Sequence, residues 1–403
     1  MQFTHIAGAL QPDLAALRRE LHQVPELGLD LPQTRELVVR ELKALGLDAT
    51  HLPRSGGVVA VIRGTKADDD GHRRAVLLRG DMDALSIDEN TDLPFSSTNG
   101  AMHACGHDLH TAALLGAAQL LNAHADTFAG DVILMFQPGE EGYDGARIMI
   151  EEGVLDAAGS PVVGAYALHV FSGRYPLGMV GVRSGPIMSA ADRLYVTVHG
   201  KGGHGSTPQL AVDPIVIAAE MVTALQAVVT RRFDAFDPVI LSVTKIAGGD
   251  DIAVIPHEVT FAATVRSFSN EARESLEQLC TRTLNGIAAA HGASVTVDYQ
   301  KLYPVTVNDA TEADRVIRVA AENLPEDDVV VLPNPLNASE DFSRVLAEVP
   351  GAFIVVGATP PGVDPADAPF NHSAEAVFDE QSLWRGAALL AGLAVDRLND
   401  PTR

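Results

Sequence analysis

The sequence predicts an α/β fold, a mostly parallel central sheet flanked by helices, with a smaller α+β domain inserted into it. Apolar runs of strand length, such as Val132-Ile133-Leu134-Met135-Phe136, show no alternation, which marks strands buried on both faces. They are interleaved with stretches of helical spacing, the pattern of a parallel sheet covered by helices. Between residues 191 and 303 the order becomes strand, helix, strand, strand, helix, strand, the ferredoxin-like arrangement of a compact insert. The expected organisation is a discontinuous domain of residues 1–186 and 304–403 around an insert of residues 187–303. Two short crossings near residues 186 and 303 suggest that the insert is a lid on a hinge.

Composition narrows the function. A chain of 403 residues with 46% hydrophobic and 20% charged residues can bury a sizeable core in two or three domains. A formal net charge of −24 without clusters of Lys and Arg argues against a nucleic-acid or anionic-membrane partner, because phosphate binding needs concentrated positive charge. Cys105 and Cys280 are far apart in dissimilar contexts, so no disulfide framework is expected. The expected location is the reducing cytoplasm. Met1 to Leu17 lacks a basic region followed by an apolar core, and no stretch reaches transmembrane length on this reading.

In order along the chain, Leu10, Leu14, Leu17 and Leu21 give a first helix over residues 8–22, broken at Pro25. Pro32 opens a second helix that runs to about Leu45. Gly57 to Ile62 and Ala75 to Gly80 are strands, each followed by a turn or by polar side chains, as a parallel sheet requires. The second runs into Asp81-Met82-Asp83, where Asp81 is either an Asx turn or helix cap, or part of a site at the strand's carboxyl end. His103-Ala104-Cys105-Gly106-His107-Asp108-Leu109-His110 precedes a helical stretch from Thr111 to Asn122. Gly106 permits the sharp turn that points Cys105 and His107 at one ion, and a helix start favours the Cys105 thiolate; the alternative is a buried, inert cysteine with a histidine cap.

After Phe136 come Gln137-Pro138-Gly139-Glu140-Glu141-Gly142. Two adjacent acids at a strand end can divide two tasks, one holding a metal and the other moving a proton; alone, the pair would be a solvated loop. Tyr143 to Glu152 reads as a helix, and the strand Val162 to Leu168 delivers His169 at its end. Within the insert, Gly200-Lys201-Gly202-Gly203-His204-Gly205 matches a dinucleotide-binding string, but Ser206-Thr207-Pro208 follows where a helix should start, so that reading fails. Small neighbours leave His204 open to a ligand. The first domain resumes with a helix over Ala313 to Asn323, a strand over Ala352 to Gly357, a loop carrying His372, and a last helix from Glu380 to about Leu398.

These segments together resemble the dinuclear-metal aminoacylase and carboxypeptidase superfamily in its amidohydrolase branch, which includes N-acyl-amino-acid amidohydrolases, hippurate hydrolases and plant hydrolases of auxin-amino-acid conjugates. The resemblance runs from Arg18-Arg19-Glu20-Leu21-His22 through Gly80 to Leu85, His103 to Asp108, Gly139 to Gly142, Leu168-His169, Gly203-His204 and Glu340-Asp341-Phe342 to Asn371-His372-Ser373. It implies a zinc-exopeptidase-like fold in which Cys105, His107, Glu141, His169 and His372 bind two divalent ions. Glu140 would be the general base, His204 would stabilise the oxyanion from its own or a partner subunit, and the insert would form a homodimer.

Asp83 is expected to support the ligands, and Arg266 is either a surface residue at a strand end or the group that binds a substrate carboxylate. Zinc or manganese suits this donor set best, with cobalt and nickel next. The expected reaction is hydrolysis of an N-acyl amino acid, with a short peptide as the alternative substrate. The rivals are a dipeptidase or carboxypeptidase on the same scaffold, a non-catalytic metal-binding protein, and a thiol hydrolase using Cys105. Ala253 stands where the family commonly has Asn before Val-Ile-Pro, and Ala338-Ser339 replace the usual Gly-Gly before Glu340, so specificity departs from the pattern more than the metal set does.

Overall fold

The computed structural model describes residues 3–67, 71–324 and 328–400. They form two compact units, one of Met1–Ile187, Val307–Asn334 and Asp341–Arg403, the other of Met188–Thr306 with Pro335–Glu340.

The first unit is built on an eight-stranded sheet. Its order in space is Ala49–His51, Val58–Arg63, Asp131–Gln137, Ala75–Asp81, Val162–Pro176, Gly351–Thr359, Val180–Val182 and Val329–Val331. The three longest central strands after Asp131–Gln137 run parallel to it and to each other. Ala75–Asp81 and Asp131–Gln137 are buried at every position, which explains why their sequences carry no alternation. The first predicted strand departs from expectation: Val58–Arg63 runs antiparallel to Asp131–Gln137, with Val58 opposite Phe136. It also pairs antiparallel with the short strand Ala49–His51 on its other side.

One helix is central to the packing of this unit. His107–Ala123 is buried along almost its whole length, between Thr4–His22 and Ser382–Leu398. Such all-round burial needs small side chains, and a Cβ on Gly116 would stand 2.9 Å from both Ala387 Cβ and Leu14 Cδ1. Leu109, Leu114, Leu120 and Leu121 fill the remaining space, each contributing about 1.5–3 kcal/mol by leaving water. The helix begins four residues earlier than the spacing from Thr111 suggested, so His107, Asp108 and His110 lie in its first turn.

The second unit carries a four-stranded antiparallel sheet in the order Val239–Ala247, Glu258–Ser267, Ala191–His199, Ser294–Tyr303, with helices Pro214–Arg232 and Asn270–Ala290. Leu194, Val196 and Val198 alternate with exposed or half-buried residues and meet Ile217, Met221, Leu276 and Leu284. The sequence reading found no stretch of transmembrane length, yet Pro214–Arg232 is long and apolar enough to cross a membrane by length and composition. Its Ile217, Ala218, Met221 and Leu225 lie in the core of the unit, which accounts for part of that apolar composition.

A buried acid pins this unit. Asp192 accepts from Arg273 Nη2 at 2.6 Å and Nε at 2.9 Å, from the Tyr299 hydroxyl at 3.3 Å and from the Leu302 N–H at 3.2 Å. Removing the carboxylate leaves the guanidinium buried and unneutralised. Asp192→Ala is therefore expected to destabilise the protein by about 3–5 kcal/mol. Chemical denaturation followed by circular dichroism measures this, and a loss below about 1 kcal/mol would place the pair with exposed ones.

Candidate metal centre

At the carboxyl edge of the first unit's sheet, the chain brings Cys105, His107, Glu140, Glu141, His169 and His372 together. Cys105 Sγ lies 3.1 Å from His372 Nε2 and 3.4 Å from His169 Nε2, and His372 Nε2 lies 3.2 Å from Glu141 Oε1. The donor atoms fall into overlapping sets of Cys105, His107 and His169, of Cys105, Glu141 and His372, and of His107, Glu140 and Glu141, each spanning no more than 4.8 Å.

Local chemistry produces this convergence. Gly106 adopts φ of 82°, a left-handed conformation at the start of the helix, and a Cβ there would lie 2.4 Å from Val170 Cγ2. Asp83 accepts the N–H groups of Glu140 and Glu141 with its two oxygens, each at 3.0 Å, and so fixes the turn that carries both acids. Asn371 donates to Val170 O at 3.0 Å and accepts from the Ser172 N–H at 3.0 Å, tying the His372 loop to the sheet. His372 itself has φ of 69°, rare for a residue with a side chain, held by its N–H on Ala104 O at 2.9 Å.

His169 differs from its expected place. The strand continues through it to Pro176, so His169 lies in the middle of Val162–Pro176 and not at its end. The strand outruns its neighbour: the pairing with Ala75–Asp81 stops at Arg79 opposite Ala167, which puts His169 level with Asp81.

The electrostatics favour cations. Burial would lower the His107 imidazole, but Asp81, Asp83 and Cys105 outweigh it and raise it well above the usual range. Contact with Cys105 and Glu141 pushes His372 up to about 10. Burial would raise Glu141, yet His372 and the charge of His107 bring it below its ordinary value. These surroundings call for positive charge, which a divalent ion supplies as well as a proton does. His169 is the opposite case, since burial and the neighbouring His110 push it well down and keep it neutral. Its Nδ1–H donates to Val170 O at 2.9 Å, leaving the Nε2 lone pair on the side of Cys105. Both ring nitrogens of His107 are buried without a hydrogen bond, as ligand atoms for an ion would be. Thiolate, imidazole and carboxylate donors so arranged fit two divalent ions.

The two remaining predicted residues belong to the second unit. His204 pairs with Val254, and its Nδ1 accepts from the Ser206 N–H at 3.1 Å, so in the neutral ring the proton is on the exposed Nε2. Arg266 is half-buried in the strand Glu258–Ser267 and donates to Thr264 Oγ1 at 3.1 Å and Val265 O at 3.0 Å; burial lowers its pKa. Residues that the sequence reading left without a role lie beside the cluster. Arg79 donates to Asp81 Oδ2 at 2.5 Å, to Gln137 Oε1 at 2.9 Å and to Asp341 Oδ1 at 3.2 Å. His110 donates to Asp81 Oδ1 at 2.6 Å. An arginine inside the apolar run Ala75 to Gly80 was the available signal for the first, and three histidines within eight residues for the second.

The family model for Peptidase family M20/M25/M40 matches residues 77–396. The chain belongs to this family. Membership makes it a metal-dependent hydrolase of C–N bonds. Thermostable carboxypeptidase 1 of Saccharolobus solfataricus is 38% identical over 386 residues, covering 94% of each chain. N-acetyl-L-cysteine deacetylase of Bacillus subtilis is 38% identical over 349 residues, 86% of this chain and 81% of that one. A crystal structure from Bacillus subtilis described as a dinuclear metal-binding peptidase from the M20 family superposes with a TM-score of 0.82 at 31% identity, covering 97% of this chain and 99% of that one.

Within this M20 chain, Gly106→Ala adds a Cβ to a left-handed residue that costs about 1–2 kcal/mol in strain alone and drives Val170 away from the cluster. The expected result is a lowered melting temperature together with loss of bound metal on elemental analysis. Wild-type metal content in this variant would show that the turn does not set the ligand geometry.

Proposed function

We propose that the chain hydrolyses the amide bond of N-acyl amino acids, with Cys105, His107, Glu141, His169 and His372 holding two divalent ions and Glu140 acting as general base. The observation that carries the reading is the overlap of the donor sets: Cys105, His107 and Glu141 each belong to two of the three, while Glu140 is held in the same turn by Asp83. When bound, the ions would polarise the acyl carbonyl and make a water acidic enough to lose its proton near neutral pH. The Glu140 carboxylate takes that proton at an oxygen and later returns it to the leaving nitrogen. His204 Nε2–H is a donor suited to the developing oxyanion, and the Arg266 fork suits a substrate carboxylate.

Zinc or manganese is the preferred ion on donor chemistry, with cobalt or nickel as substitutes. The second unit exposes Leu210, Ile215, Val216, Ile246, Ile252 and Val254, in keeping with a homodimer formed through it. Both cysteines are free, which suits the cytoplasm. The similarity to a deacetylase of N-acetyl-L-cysteine supports a small N-acyl amino acid as substrate. A second reading, carboxypeptidase action on short peptides, is supported by the similarity to thermostable carboxypeptidase 1.

Glu140→Gln is expected to keep both ions and lower kcat by about 10²–10⁴-fold. Elemental analysis and steady-state kinetics on the same preparation measure the two, and near wild-type turnover would remove Glu140 as the base. Chelation should abolish amine release from acetyl and benzoyl amino acids, and added zinc or manganese should restore it. Activity on dipeptides alone favours the second reading, and no release from either class defeats both.

A further inference from the structure

The strand Val162–Pro176 runs past the end of Ala75–Asp81, so the N–H of Val170 has no strand partner on that side. It donates instead to His110 Nε2 at 2.8 Å. Because that contact requires an unprotonated Nε2, the His110 proton is on Nδ1, where it is donated to Asp81 Oδ1 at 2.6 Å. The other Asp81 oxygen is held by Arg79 at 2.5 Å. This chain therefore reaches from the buried arginine, through a carboxylate and an imidazole, to the peptide that joins His169 to Val170. The His110 ring also packs against both flanking candidate ligands, with centroids 4.7 Å from His169 and 5.4 Å from His107.

We propose that His110 is a positioning residue for the ion pair: fixed by Arg79 and Asp81, it holds the His169–Val170 peptide and thereby sets where His169 presents its Nε2. It does not bind an ion itself, since both of its ring nitrogens are engaged. A positioning role predicts an effect on ion affinity that fold stability alone does not give. His110→Phe keeps a planar ring and removes both hydrogen bonds. His110→Gln can reach Val170 with its carbonyl oxygen, whereas His110→Asn is too short and reaches only Asp81.

The inference rests on the two-ion reading above, and one titration separates the two. Apo protein prepared by chelation is titrated with Co²⁺, followed by calorimetry and by the visible d–d bands, with the apo melting temperature recorded for each variant. Wild type is expected to bind two ions. His110→Phe is expected to bind one of them about 10- to 100-fold more weakly with altered d–d bands, the range for loss of a residue that supports a ligand. His110→Gln is expected to restore most of that affinity, and His110→Asn is not. If His110→Phe does not fold, the Gln and Asn variants decide: equal affinities overturn the role. Wild-type affinity and bands in His110→Phe also overturn it, whatever happens to the melting temperature. Failure of wild type to bind Co²⁺ would overturn the two-ion reading itself.

Discussion

A guanidinium buried at the carboxyl edge of the sheet is the constraint on which the candidate centre depends. Arg79 occupies a strand whose other positions are apolar or end at Asp81, and its side chain is fully enclosed. A charge so buried needs partners, and Asp81, Gln137 and Asp341 supply them from three different segments. Burial would raise Asp81, but Arg79, then His107 and His110, hold it well below the usual carboxylate range. For Asp341 burial prevails, and its carboxyl is pushed up to about 6. The arginine thus keeps one acid charged where the histidines need it, and its network ties the ends of Ala75–Asp81 and Asp131–Gln137 to Asp341.

Backbone geometry then turns this anchored edge into a cluster of converging side chains. The left-handed Gly106 aims Cys105 and His107 from the start of a helix, and the left-handed His372 reaches the same thiol from a loop more than 260 positions later. Gly106 adopts its conformation at no steric cost, whereas in His372 the strain is borne by a residue with a side chain. What holds it is a pair of hydrogen bonds: the His372 N–H on Ala104 O, and Asn371 on the Val170 carbonyl. Strain of this kind persists at sites whose geometry matters for chemistry.

The histidines of the cluster illustrate how one residue type takes different states within a few ångströms. His107 and His372 face carboxylates and a thiol and favour a positive charge, whereas His169 lies against aromatic rings and a second imidazole and stays neutral. A divalent ion would suit both kinds, His107 and His372 by supplying positive charge and His169 by taking up the Nε2 lone pair. Asp83 serves the acids in the same way, since one carboxylate orders two successive amides and so fixes Glu140 relative to Glu141.

Much of this was legible in the sequence. Uninterrupted apolar runs gave the buried strands, the change of pattern after residue 190 gave the antiparallel sheet, and Cys105-Gly106-His107 with Glu140-Glu141 marked the chemistry, because these signals are local. The direction of Val58–Arg63 and the extension of the strand through His169 were not, since each depends on which strand lies alongside and where that neighbour stops. The roles of Arg79 and His110 were equally hidden. An arginine in an apolar run and a third histidine within eight residues become informative only when folding brings Asp81, Asp341 and a Val170 N–H without a strand partner against them. Sequence by itself determined the fold class and which side chains are able to bind an ion. Tertiary structure alone decided which of them meet and in what protonation state, because both follow from distances between residues far apart in the chain and from the burial that folding imposes.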